Sequence, residues 1–208
     1  EPHVTYQELR EKGWVQPPYE YRKYEKGLLR PDGEPGFNTP TGKIELCSTL
    51  FEQWGEDPLP YYEEPPYSPI STPELAKEYP LILTSGARSW AFFHSEQRQI
   101  RTLREIHPDP LVEIHPETAA NLGIQDGDWV YIENMFGKCK MKAKLTPGID
   151  PRVVQADHGW WFPEKSSEEP CLSGVWEANI NNLVPHECIG KLGFGAPFKS
   201  MICKVYKA

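Results

Sequence analysis

Groups that suit the binding of an anion lie close together in one stretch of the sequence. Gly86 has no side chain to keep a ligand away from the backbone and can adopt a positive φ angle, so the N–H groups around it can point at an anion. Arg88 and Arg98 add two positive charges, and His94 and Ser95 add hydrogen-bond donors. The set suits a phosphate group or a heterocycle, although a strand followed by a glycine turn is common and is weak evidence alone.

A cluster of asparagines forms a second group with binding capacity. Asn179, Asn181 and Asn182 lie within four residues of one another. Each side-chain amide offers two donors and an acceptor, which suits the edge of a heterocycle. The same side chains also form turns and cap helices, so at this point the structural and the binding interpretations both remain open.

Two other kinds of site are disfavoured. A hydrolase that used His94 or His158 would need a serine and an acid in a triad, and no nucleophile-elbow pattern is present. The five cysteines are odd in number and far apart, with no Cys-x-x-Cys pair. We therefore expect small core residues rather than a zinc site, an iron–sulfur site or a complete disulfide framework.

Composition narrows the class of partner. The formal net charge of −8 argues against a nucleic-acid surface, which would need a basic face to neutralise phosphates. No apolar run approaches the roughly 18 residues that span a bilayer, so we expect a soluble chain without membrane insertion. The sequence begins with Glu1 rather than methionine, which we interpret as an excised domain or a processed chain.

The spacing of apolar residues predicts a closed β architecture. Leu81–Leu83 is a continuous apolar run, expected to be a strand buried on both faces. A helix is predicted over Ser95–Ile106, and another opens at Pro116. Further strands are predicted at Leu111–Ile114, Trp129–Ile132, Cys139–Leu145, from Val153, and at Met201–Tyr206. Many short strands separated by glycine and proline, with only short helices, indicate a barrel rather than a doubly wound sheet.

The first part of the chain has a different character. A short helix is predicted over Tyr6–Lys12, and the alternation around Ile44 and Leu46 predicts a half-buried strand. Prolines recur through residues 57–80, which favours a stiff, extended linker. We therefore divide the chain into residues 1–79, an arm and a linker, and residues 80–208, the barrel.

Several separate segments together resemble one known family. They read FNTPTGKIEL (37–46), LTSGAR (83–88) with a following HS (94–95), VEIHPETAANLGIQDGDWVYIEN (112–134), LTPGIDPRVV (145–154), HGWWFPE (158–164), NINNLV (179–184) and GAPFKS (195–200). In this order they are similar to the C-terminal molybdopterin-dinucleotide-binding domain of the dimethyl sulfoxide reductase family of molybdenum and tungsten enzymes. The SGAR and HGWW segments resemble the branch that includes polysulfide, thiosulfate and arsenate reductases, transhydroxylase and acetylene hydratase.

The resemblance implies a mainly β fold, a six-stranded double-psi β-barrel with short helices and an extended N-terminal arm. It implies that the barrel binds one face of a bis-molybdopterin guanine dinucleotide cofactor carrying molybdenum or tungsten. Asn181 would bond the pterin ring and Lys199 would offer its side chain to the cofactor. The positions that the resemblance assigns to cofactor binding are Thr84, Ser85, Gly86, Arg88, His94, Ser95, Trp160, Asn181, Asn182 and Lys199.

The resemblance also implies an incomplete active site. Members of the family carry the metal's protein ligand, and usually an iron–sulfur motif, in domains N-terminal to this one, and no cysteine here has a matching context. We therefore expect the C-terminal region of an anaerobic oxidoreductase catalytic subunit, inactive alone and without its cofactor when isolated. Its partners would be the N-terminal domains of the same subunit and an iron–sulfur electron-transfer subunit, in the cytoplasm or the periplasm. The alternative is a freestanding, non-enzymatic β-barrel module that binds a nucleotide or a protein.

Overall fold

The structure is a computed structural model that describes residues 4–16, 19–86, 89–190, 195 and 197–208. The chain forms two compact units, Glu1–Tyr62 and Glu63–Ala208. Tyr79 is buried in the second unit, where the Lys204 ammonium lies 5.0 Å from the centre of its ring. The end of the proline-rich segment therefore packs with the barrel. The division of the chain after residue 79, with the arm belonging to a preceding domain, stays a prediction.

The first unit contains two short helices, α1 (Tyr6–Lys12) and α2 (Thr49–Gln53). The Thr5 hydroxyl accepts the Glu8 N–H, and the Glu8 carboxylate accepts the Thr5 N–H, which forms a capping box. Gly13 ends α1 with φ at 74°. The helix predicted over these residues is therefore confirmed.

Side chains of the first unit are mostly exposed. Among its described residues only Gly27 is buried. The strand predicted around Ile44 and Leu46 is wrong: these side chains are 67% and 84% exposed, and the described part of this unit contains no strand. Apolar alternation makes a strand only where a neighbouring strand accepts its hydrogen bonds, and no such neighbour exists among the unit's described residues.

The second unit is a closed barrel of six strands in the order β1-β5-β2-β4-β3-β6. The strands are β1 (Leu81–Ser85), β2 (Leu111–Ile114), β3 (Trp129–Asn134), β4 (Gly137–Leu145), β5 (Val153–Ala156) and β6 (Met201–Lys207). β1 pairs with β5, and β2 with β4, in parallel, while the other four pairs are antiparallel. The predicted six-stranded barrel is confirmed.

Alternating side chains fill the barrel. Leu83, Val112, Ile132 and Met141 point inward and have no exposed surface. β1 also alternates, because Ile82 is only partly buried, so the prediction of a strand buried on both faces is wrong. In a closed barrel each strand has one inner face and one outer face.

The helices of the second unit are short. They are α3 (Pro73–Glu78), α4 (Arg101–Ile106), α5 (Pro116–Asn121) and α6 (Val175–Ala178), with 3₁₀ turns at Leu172–Gly174 and Ile180–Leu183. The helix predicted from Ser95 begins only at Arg101, because His94 and Gln97 adopt positive φ angles of 51° and 70° that interrupt a helix. In the part of the chain that is described, no helix has the length and apolarity to cross a membrane.

Thiol reactivity tests the packing of the barrel. Cys139 and Cys203 are buried in its core, and burial raises the pKa of the Cys139 thiol to about 12 and that of Cys203 further. A thiol with a raised pKa is protonated at neutral pH and unreactive. We expect a maleimide at pH 7.5 to label exposed Cys47 within minutes, and Cys139 and Cys203 only after denaturation, as read by mass spectrometry. Labelling of all three at one rate in the native chain would contradict this packing.

Candidate functional site

One end of the barrel gathers the termini of several strands. Ser85 ends β1 and pairs with Ala156, the last residue of β5, and β6 begins at Met201 beside them. β3 ends at Asn134, opposite Gly137 at the start of β4. Because β3 and β6 are antiparallel, these termini all lie at one end of the barrel, which we call the upper end.

The asparagine segment packs against this same upper end. The side-chain amide of Asn134, buried in the barrel, donates a hydrogen bond of 2.9 Å to the Leu183 carbonyl. A Cβ atom added to Gly137 would lie 2.8 Å from the Asn182 carbonyl oxygen. The glycine turn after β1 and the asparagine segment, nearly 100 residues apart in sequence, therefore share one end of the molecule's second unit.

Ser85 connects β1 to the segment before β6. Its backbone N–H and its hydroxyl both donate to the Phe198 carbonyl, at 2.8 and 3.1 Å. The residue is 4% exposed. Both donors of Ser85 are therefore used within the protein, where they hold residues 197–200 against the end of β1. The neighbouring Thr84 is partly exposed on the outer face of the barrel.

Lys199 lies directly over Gly86. A Cβ atom added to Gly86 would be 1.7 Å from the Lys199 ammonium nitrogen. The φ angle of Gly86 is outside the left-handed region, so the position needs glycine for space rather than for backbone conformation. Its N–H is 3.4 Å from the Ala156 carbonyl, a long hydrogen bond. The ammonium group therefore fills the space left by the missing side chain, and an anion here would meet it first.

Two of the three asparagine side chains form hydrogen bonds within the protein, and the third is exposed. The Asn179 side chain accepts the Asn181 N–H at 3.0 Å and so caps the 3₁₀ turn, and the Asn182 amide donates to the Val175 carbonyl at 3.0 Å. The Asn181 side chain is exposed and makes no hydrogen bond within the described residues. The turn-and-cap interpretation thus accounts for Asn179 and Asn182 and leaves Asn181 available.

His94 and Ser95 lie in a loop that packs on the HGWW segment. The rings of His94 and His158 are 5.5 Å apart. The Trp161 indole N–H donates to the Ser95 carbonyl. Arg98 donates to the carbonyls of His94 and His158, at 3.0 and 2.9 Å, and so ties the two loops together.

Trp160 is an internal support of these loops. Its side chain has no exposed surface, and its ring centre lies 5.9 Å from that of Phe92 and 6.4 Å from that of Phe162. In this conformation it acts on a ligand only through the residues it packs against. Arg88, predicted to contact the cofactor, lies outside the described residues.

Sequence reasoning missed a histidine–aspartate pair. The His107 Nε2 atom is 2.7 Å from an Asp157 carboxylate oxygen, which also accepts the Leu111 N–H at 2.8 Å. Both side chains line a cavity of about 320 Å³, and Ala156, whose carbonyl contacts the Gly86 N–H, lines it too. No local motif marks this pair, because 50 residues separate its members and only the strand pairing brings them together.

Two further charges line this cavity. The Lys144 ammonium contacts a Glu113 carboxylate oxygen at 2.9 Å, and this contact raises the pKa of Lys144. The other Glu113 oxygen accepts a hydrogen bond of 2.9 Å from the Gln155 amide. The cavity beside Gly86 therefore offers carboxylate acceptors and an ammonium donor at its wall.

The donors at the upper end fit a large anionic cofactor. Lys199 places an ammonium group in the space left at Gly86. Asn181 presents an exposed amide that has no partner among the residues the structure describes. Ammonium groups and backbone N–H groups bind phosphate oxygens, and an exposed amide pairs with the donors and acceptors of a ring edge.

The sequence profile of the molybdopterin dinucleotide binding domain matches residues 81–202. The chain belongs to this family. The match begins at β1 and ends within β6, so it covers the barrel and both regions described above. The predicted resemblance to the dimethyl sulfoxide reductase family is thereby confirmed.

Relatives of this molybdopterin dinucleotide binding domain are much longer proteins. The chain is 36% identical over 210 residues to dopamine dehydroxylase of Eggerthella lenta, covering 90% of this chain and 20% of that protein. It is 32% identical over 216 residues to dimethyl sulfoxide reductase of Escherichia coli, covering 98% and 25%. The solved structure of acetylene hydratase from Pelobacter acetylenicus superposes with a TM-score of 0.76 at 37% identity, over 86% of this chain and 25% of that one.

Two glycine substitutions test the geometry of the upper end. In Gly86→Ala the new methyl group meets the tip of a flexible lysine, which can move aside, so we expect a loss of less than about 1 kcal/mol in the free energy of unfolding. In Gly137→Ala it meets the Asn182 backbone at 2.8 Å, and overpacking of this kind costs about 1–3 kcal/mol. Urea denaturation of both variants checks the difference. Equal losses of unfolding free energy in the two variants would contradict a movable contact at Gly86 and a fixed one at Gly137.

Proposed function

We propose that the chain is the C-terminal region of the catalytic subunit of a molybdenum or tungsten oxidoreductase, and that it binds one face of a bis-molybdopterin guanine dinucleotide cofactor. The observation that carries the proposal is the meeting of Gly86 and Lys199 at the same barrel end as Asn181. The cofactor supplies the redox chemistry when bound, and the protein supplies binding, orientation and electrostatics. The chain by itself is inactive, because the metal's protein ligand lies in the N-terminal domains of the same subunit.

Each residue at the upper end has a proposed role. The Gly86 N–H and the Lys199 ammonium bind phosphate oxygens of the cofactor, and the Asn181 amide pairs with the pterin ring. Arg88 adds a positive charge to the phosphate site. His94 and Ser95 border the cofactor on the far side of the loop.

Three other predicted positions act as supports. Ser85 holds residues 197–200 in place through its two hydrogen bonds to Phe198. Asn182 fixes the 3₁₀ turn through its bond to Val175. Trp160 keeps the His94 and HGWW loops packed, and Thr84 faces the outer side of β1.

The cavity beside Gly86 is the proposed site for the nucleotide end of the cofactor. It adjoins the phosphate position through Ala156 and has a volume of about 320 Å³. A guanine base presents N–H donors on one edge, which the carboxylates of Glu113 and Asp157 accept. The Lys144 ammonium offsets the charge of Glu113.

The exposed aromatic side chains of the first unit favour the proposal that a large partner covers this unit. Tyr6, Trp14, Tyr21 and Trp54 are each between 59% and 79% exposed. Large aromatic side chains with this much exposure favour a surface that another protein covers. We propose that the N-terminal domains of the same subunit cover it, with an iron–sulfur subunit as a further partner of the assembled enzyme.

Cofactor retention tests the proposed roles. In the complete protein, produced in a host that makes the cofactor, Lys199→Ala removes a charge-assisted hydrogen bond worth about 1.5–3 kcal/mol. We therefore expect the cofactor to dissociate about tenfold faster or more, and about fivefold faster in Asn181→Ala, as measured by pterin fluorescence and metal content after dialysis. The controls are Lys77→Ala on α3 and Asn121→Ala at the end of α5, both exposed. Retention equal to the controls would contradict the proposal.

Hydrogen exchange separates the proposal from a freestanding module. Because only Gly27 is buried among the described residues of the first unit, we expect its amides to exchange much faster than those of β2, β3 and β4 in the isolated chain. Mass spectrometry of the exchanging chain measures the two rates. Strong protection throughout residues 4–62 would favour a self-sufficient binding module.

A further inference from the structure

Two arginines and the indole ring on which they stack each carry a buried N–H donor with no partner in the part of the chain that the structure describes. These donors are Arg98 Nε, Arg104 Nη1 and Trp160 Nε1. The guanidinium carbons of Arg98 and Arg104 lie 4.8 and 5.0 Å from the centre of the Trp160 ring. Buried donors in native proteins nearly always have a partner, so a cluster of three indicates a missing acceptor.

Arg98 carries a buried positive charge without a carboxylate partner among the described residues. It is 3% exposed, and its terminal nitrogens donate to backbone carbonyls of the loops at residues 94–96 and 158. Its pKa is lowered to about 10, chiefly by burial; the charge of Asp157 opposes this shift and the charge of Arg104 adds to it. The cation–π contacts offset part of the cost of burying the charge but leave the Nε donor unpaired.

Arg104 adds a second cation with a free donor. Its Nε donates to the Pro108 carbonyl at 2.6 Å, and its Nη2 lies 3.2 Å from a Glu164 carboxylate oxygen. These contacts leave Nη1 buried and unpaired. Among the described residues, Glu164 is therefore the one carboxylate in direct contact with either Arg98 or Arg104.

A cavity borders the two arginines of this cluster. Its volume is about 620 Å³, and Arg98 and Arg104 both line it. Arg101 stands at its wall with a side chain that is 89% exposed, paired with Glu105 at 2.9 Å. The cavity shares no lining residue with the one beside Gly86, so it is a separate site.

We propose that Arg98 and Arg104, stacked on the Trp160 ring, form a binding site for a tetrahedral oxyanion of the phosphate or sulfate type. Each guanidinium group offers one unpaired N–H to the oxygens of such an ion, and a hydrogen bond between two charged partners is stronger than one between neutral groups. The anion neutralises the two cations and connects the loop at residues 94–98 to the segment at residues 158–164. Both loops carry residues of the upper end, so the bound oxyanion fixes their positions.

Calorimetric titration of the 208-residue chain with inorganic phosphate, in chloride buffer at pH 7.5, tests the site. We expect saturable binding of one ion with a Kd of about 1 mM or lower, competition by sulfate, and a higher midpoint of thermal unfolding when phosphate is present. A nucleoside diphosphate, titrated in parallel, distinguishes the source of the oxyanion: equal affinity indicates a phosphoryl group of a larger ligand, and weaker affinity indicates the free ion. Absence of saturable phosphate and sulfate binding would overturn the proposal.

Matched arginine variants locate the binding. Arg104→Gln removes the unpaired donor and should weaken phosphate binding at least tenfold, and Arg98→Lys removes the unpaired Nε with the same effect. Arg101→Gln changes an exposed arginine of the same cavity and should leave the affinity within twofold. Equal weakening in Arg101→Gln would show that the cavity mouth binds the ion, which contradicts a site at the buried cluster. The titration of the wild-type chain tests the proposal by itself. If a variant fails to fold, the wild-type result still decides whether the site binds phosphate.

Discussion

The arrangement of the upper end depends on the two hydrogen bonds that Ser85 donates to the Phe198 carbonyl. They join the end of β1 to the segment that leads into β6, across 113 residues of sequence. Because the carbonyl is held from one side by a backbone N–H and a hydroxyl, the following residue, Lys199, lies over Gly86. A side chain at Gly86 would occupy the place of the ammonium group, so this close approach uses the glycine that follows β1.

Closure of the barrel brings the HGWW segment and the asparagine segment to the upper end as well. The parallel pairing of β1 with β5 puts the HGWW segment beside the glycine turn, and the antiparallel pairing of β3 with β6 puts the asparagine segment near the start of β6. Behind these segments, Trp160 and Arg98 fill the space between the two loops and hold them by stacking and by bonds to carbonyl groups. The surface of the site is therefore formed by loops, and its rigidity comes from strand pairing and from an aromatic layer underneath.

The sequence predicts the barrel well because short, alternating strands separated by glycine and proline carry a strong local signal. It fails where the deciding contact is distant: Ile44 and Leu46 alternate but have no neighbouring strand, and the helix expected from Ser95 is cut short by the backbone of His94 and Gln97. Among the asparagines, types and spacing alone leave all three equivalent, and only the contacts of Asn179 and Asn182 single out Asn181.

The same limit applies to the chemistry of the site. Gly86 is recognisable from its position after an apolar run, but its neighbour in space, the Lys199 ammonium group, is part of no local pattern. The pairing of His107 with Asp157 and the stacking of two arginines on Trp160 likewise depend on residues brought together by the fold. Local pattern thus predicts the elements, while strand order decides which side chains meet.

An experimental structure of the complete cofactor-loaded protein would show whether the upper end of the barrel holds the cofactor. We expect cofactor phosphate oxygens within hydrogen-bonding distance of the Gly86 N–H and the Lys199 ammonium, with the pterin ring bonded to the Asn181 amide. A cofactor bound elsewhere, with the upper end of the barrel covered by another part of the protein, would contradict it.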